Sequence, residues 1–129
     1  MSHPNLHKVR AWSRSCDMAV NVYRALSGLS DQHFAERVIK NAFTIPESVA
    51  AAFGCPHPAA AQDAALNRSL EALAVLQTQL YLAVECGLLQ ATSLTILDHD
   101  ATMLAQELRD QTARDTLGRG QIAVLATSD

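Results

Sequence analysis

A chain of 129 residues is long enough to bury one core and short for two ordinary domains. Hydrophobic residues make up 49% but aromatics only 5%, a mixture that favours close-packed helices over a β-sandwich. The formal net charge of -3 argues against a dedicated nucleic-acid binder with a basic surplus, and the lack of any run of about 18 apolar residues argues against a transmembrane helix.

In chain order, the opening Met1-Ser2-His3-Pro4 lacks the charged-then-apolar layout of a signal peptide. Leu6, Val9, Trp12, Cys16, Ala19, Val20, Tyr23 and Leu26 trace one helical face, predicting a first helix over about 6–27, with Gly28 as its C-terminal cap. Trp12 and Tyr23 lie on that apolar face and are expected in the core. Ser30 is placed to cap a second helix over about 31–53, whose apolar positions are Phe34, Ala35, Val38, Ala42, Ile45, Val49 and Phe53. Pro46 interrupts this pattern. A proline inside a helix removes one hydrogen bond, so the expectation is a kinked core helix or, alternatively, freed backbone groups near Ala42 that serve a binding site.

Gly54-Cys55-Pro56-His57-Pro58 breaks the helical pattern, and Pro58 suits the start of a third helix over about 58–87. At 1.5 Å per residue this helix is roughly 45 Å long, closed by Gly87. It carries two apolar stripes. Leu66, Leu70, Leu73, Leu80 and Val84 form a core-facing seam. Ala72, Val75, Gln79, Leu82 and Cys86 repeat at 3-4-3-4 spacing on nearly the opposite side, a row that predicts a partner chain. The fourth helix is expected over about 92–117 through Leu94, Leu97, Ala101, Leu104 and Leu108, ended by Gly118 and Gly120, with a tail over 118–129. Short connections force neighbouring helices antiparallel, so the expected fold is a single all-α domain, an up-down-up-down four-helix bundle.

The residues that carry chemistry are sparse. A di-iron bundle needs Glu-x-x-His pairs, and none of Glu36, Glu47, Glu71, Glu85 or Glu107 has a histidine three residues later. Asp98-His99-Asp100 occupy consecutive helical positions about 100° apart and cannot converge on one metal. Cys55-Pro56-His57 is too short for a zinc knuckle. No Ser-His-Asp constellation, phosphate loop or Walker-type sequence occurs. No enzyme, cofactor or metal is therefore expected. Cys16, Cys55 and Cys86 are widely spaced and odd in number, which points to reduced thiols and a cytoplasmic protein. Residues 1–30 hold four basic residues against Asp17, a net of +3, whereas the remainder has a net of -6. Arg10, Arg14 and Arg24 share one flank of the first helix, a basic band that repeats around an oligomer and attracts RNA, unless it is an ordinary solvated face.

The segment Lys40-Asn41-Ala42-Phe43-Thr44-Ile45-Pro46-Glu47-Ser48-Val49-Ala50 resembles the R-A-x-x-S-I-P-x-N-I-A-E-G signature of the bacterial four-helix-bundle family first noticed in intervening sequences of 23S ribosomal RNA genes. Leu73, Leu76, Thr78-Gln79-Leu80-Tyr81-Leu82-Ala83 and Gly87-Leu88-Leu89 are similar to that family's third helix, and Trp12 and Val22-Tyr23 to its first. The resemblance spans about residues 6–117. It implies a four-helix bundle assembled as a ring-shaped homopentamer. One branch of the family contains the accessory protein of diversity-generating retroelements, so the resemblance also implies reverse transcriptase and nucleic acid as partners, with Lys40 joining the three arginines as a candidate contact. The chain departs from the pattern at Ile39-Lys40 in place of paired arginines, at Ser48-Val49-Ala50-Ala51-Ala52, and at Val75 and Gln77 in place of glutamates. The leading expectation is a non-enzymatic, homo-oligomeric scaffold or interaction protein; the alternative is an RNA- or DNA-binding accessory protein.

Overall fold

The computed structural model describes residues 9–54 and 58–127, with side chains placed through residue 113. Four helices and, among the described residues, no strand make up the fold: α1 (Arg10–Leu26), α2 (Gln32–Phe53), α3 (Ala59–Glu85) and α4 (Ala91–Thr127). Helices adjacent in the chain pack on one another, and α1 closes against α4. Asn41 meets Ala72 and Gln79 while Ala52 meets Gln62, so sequence numbers rise along α2 as they fall along α3. That pairing is antiparallel. Among the described residues no helix is long and apolar enough to cross a membrane.

The core is built from rows at helical spacing. In α2 these are Ala35, Val38, Ala42, Ile45 and Val49; in α3, Leu66, Leu73, Leu76, Leu80 and Ala83; in α4, Leu97, Ala101, Leu104 and Leu108. Small side chains recur in them, and two buried serines, Ser15 and Ser69, return their hydroxyls to Trp12 and Ala65 carbonyls of their own helices. Buried polar groups are thereby satisfied without cross-links. Pro46 sits half-buried within α2, which stays helical through it, and Ala42 beside it is fully buried.

Three local expectations change. The α2 cap is Asp31, not Ser30: its Oδ1 accepts the Phe34 N–H at 3.0 Å, satisfying an amide that has no intrahelical partner. Val20 and Tyr23 are exposed rather than core, because the buried row of α1 runs through Ala11, Ser15, Met18, Val22 and Leu26; Tyr23 sits on its α2-facing edge and Val20 lies beyond it. Finally, α4 does not end at Gly118; it continues through Gly118 and Gly120 to Thr127. A glycine inside a helix costs about 1 kcal/mol relative to alanine but keeps its hydrogen-bonding groups, and no proline follows to stop the helix. Leu6 and Cys55-Pro56-His57 lie outside the described residues.

Gly87 ends α3 as expected. With φ +76 it turns the chain so that Leu88 N–H donates to the Ala83 carbonyl at 2.8 Å and Gly87 N–H to that of Val84 at 3.0 Å, the pattern of a Schellman cap. A Cβ added there would meet nothing, so the cost of Gly87→Ala is purely that of a left-handed backbone, about 1–2 kcal/mol. Urea unfolding should show that loss as a lower midpoint at unchanged slope.

Candidate interaction surface

The second row of α3 divides in two. Ala72 and Gln79 are half-buried against α2, where Asn41 Nδ2 donates to the Ala72 carbonyl at 3.0 Å and to Gln79 Oε1 at 3.1 Å. Val75 is 50% exposed and Leu82 46%, and Cys86 is exposed at the end of the helix. On the opposite flank Gln77 Nε2 donates to Asp98 Oδ1 of α4 at 3.0 Å. With α2 holding one flank and α4 the other, the outward edge left on α3 is an apolar ridge of Val75 and Leu82, bordered by Thr78 and Glu85.

A second apolar feature was not apparent from periodicity alone. Between α1 and α2 lies an open groove of about 510 Å³, with Tyr23 and Phe43 at its centre, Ile39 beside them, and Glu36, Lys40 and Glu47 along its rim. Tyr23 is 51% exposed and Phe43 41%; their ring centroids are 6.4 Å apart with planes at 58°, a tilted pair. Val20, three residues before Tyr23, extends the apolar strip along α1. The available signal was the 4-3-4 spacing of Glu36, Lys40, Phe43 and Glu47 opposite that of Cys16, Val20, Tyr23 and Ser27.

The candidate nucleic-acid contacts are not brought together. Arg10 and Arg14 both reach Glu107 of α4, at 3.7 and 2.9 Å, so one carboxylate offsets much of the band. Arg24 is exposed in the last turn of α1, where a cation complements the helix C-terminus. Lys40 is on α2, between two glutamates of the groove rim. Asp98, His99 and Asp100 also diverge: Asp98 turns to Gln77, whereas Asp100 lines a 330 Å³ groove on the α1 side with Arg14, Asp17 and Asn21. Among the described residues no three His, Cys, Asp or Glu side chains form a metal-sized cluster. No family model matches this chain, and no curated protein does so either.

The two described cysteines differ in setting. Burial, and secondarily the negative charge of Asp17, push the Cys16 thiol above its ordinary range, so it stays protonated at neutral pH. Cys86 is exposed. Iodoacetamide at pH 7.5 should therefore label Cys86 well before Cys16, read by peptide mass spectrometry. Removing the shared charge by Glu107→Gln should lower stability by about 1 kcal/mol, carried by the 2.9 Å Arg14 contact and not by the largely exposed Arg10, and thermal unfolding measures it.

Proposed function

We propose that this chain is a non-enzymatic, cytosolic scaffold or interaction protein that works as a homo-oligomer. The observation that carries the reading is the half-exposed ridge of Val75 and Leu82 on a helix already packed along both flanks. A monomer gains nothing from two large aliphatic side chains in water at helical spacing, whereas a second subunit removes them from it. The resemblance to the 23S intervening-sequence family supports the same reading and adds a subunit number of five. The sparse polar chemistry of the grooves supports a structural role over a catalytic one: among the described residues no metal-sized cluster forms there, and Gln77 and Asp98, like Arg14 with Glu107, are used in pairs that join neighbouring helices.

Multi-angle light scattering tests the proposal directly, with the protomer mass of 13.9 kDa as the reference. The wild type is expected at a multiple of that mass, and at five times it for the ring. Val75→Glu places an unpaired carboxylate in the contact at a cost of several kcal/mol and should release protomers of unchanged helicity. A wild type that runs as a protomer at all concentrations would end the proposal.

A further inference from the structure

A closed ring needs two different patches on every subunit, because each copy presents one face to the neighbour ahead and another to the neighbour behind. The α3 ridge is one convex patch. The α1–α2 groove is a concave patch with an apolar floor, and α2 separates the two, so one copy can use both at once. We infer that the α1–α2 groove of one copy receives the α3 ridge of a second copy, antiparallel to α2, with Leu82 over Phe43 and Glu85 beside Lys40. This rests on the self-assembly reading above.

Spacing and charge select the register. Along the ridge, Val75, Thr78, Leu82 and Glu85 follow 3-4-3 steps; along α2, Ala50, Glu47, Phe43 and Lys40 descend by the same 3-4-3 steps, the last three of them lining the groove. Antiparallel docking then sets Val75 over Ala50, Leu82 over the Phe43–Tyr23 pair, and Glu85 against Lys40, with Thr78, whose hydroxyl donates to the Ala74 carbonyl of its own helix, beside Glu47. A parallel arrangement with Leu82 in the same place sets Val75 on Glu36 and Glu85 next to Glu47, which is unfavourable at both ends. Both charges of the favoured pair are exposed, and among the described residues neither has an ion-pair partner within the protomer. Glu85 also stands in the last turn of α3, where an anion faces the negative end of the helix dipole and gains from a neighbouring cation.

Two surface variants and their mixture test the pairing, each checked for wild-type helicity by circular dichroism. Phe43→Glu spoils the groove and leaves the ridge; Leu82→Glu spoils the ridge and leaves the groove. Each alone is expected at the protomer mass, and an equimolar mixture, which contains one intact groove and one intact ridge, is expected to form a one-to-one dimer. Lys40→Glu and Glu85→Lys should each weaken assembly, and the double variant should recover it. If Leu82→Glu dissociates the protein while Phe43→Glu leaves the wild-type mass, the groove is not the seat; the pairing is overturned and the self-assembly reading stands. If both variants are monomeric and helical but their mixture stays monomeric, the interface is not ridge-in-groove and the pairing is again overturned. A monomeric wild type removes both the pairing and the reading beneath it.

Discussion

Asn41 fixes the rotation of α3 about its own axis. Its amide is half-buried between α2 and α3 and donates to a backbone carbonyl, Ala72, and to a side chain one heptad on, Gln79. Turning α3 by one residue would swing Gln79 away by about 100° and strand a half-buried donor, costing about 1–3 kcal/mol. Gln77 holds the other flank through Asp98 and, at 3.4 Å, Thr102. Apolar burial alone would tolerate some rotation of an alanine- and leucine-rich helix, since its core contacts are non-directional. The amide bonds do not. The outward direction of Val75 and Leu82 is thus a consequence of polar contacts on residues beside them.

The narrowness of the bundle has the opposite effect on α1 and α2. Alanines at positions 11, 19, 35, 42, 52, 65, 83, 101 and 105 fill much of the core, so the helices approach closely and little room remains for rings. Tyr23 and Phe43 are consequently held at the edge of the α1–α2 contact, tilted against each other, with Trp12 packed at the core margin. A bundle with larger core residues would have drawn the rings inward. Here small residues inside and aromatic residues at the seam are two sides of one packing solution.

How much of this the sequence reveals depends on the width of each apolar stripe. In α2 the row is narrow, and Ala35, Val38, Ala42, Ile45 and Val49 are buried as the periodicity indicates. In α1 the apolar positions cover more arc than the neighbouring helices can bury, and spacing cannot tell which edge stays wet; that is decided by the positions of α2 and α4. Val20 and Tyr23 fall on the wet edge for this reason. The helix ends show the same limit. Gly87 is legible because the chain must reverse within a few residues, whereas Gly118 and Gly120 carry no such demand and remain helical. The α3 row was legible as an excess of apolar surface, but not the split within it, because Asn41 is distant in sequence from Ala72 and Gln79.

Magnitudes decide whether the ridge suffices for assembly. Full burial of a Val or Leu side chain contributes about 1.5–3 kcal/mol, and these two are already half covered, leaving roughly 2–3 kcal/mol between them. A micromolar complex needs about 8 kcal/mol net, after association has cost several more. The ridge alone falls short. Seating it on Tyr23 and Phe43, themselves about half exposed, adds a comparable apolar gain on the other partner, and aromatic contacts contribute about 0.5–1.5 kcal/mol beyond their area. In the proposed ring each subunit would hold two such interfaces, so that leaving would require both to break together. A single ridge-in-groove contact therefore holds two chains only at higher protein concentration, whereas a chain with both patches, separated by α2 and set by the rotation of α3, gains from both at once.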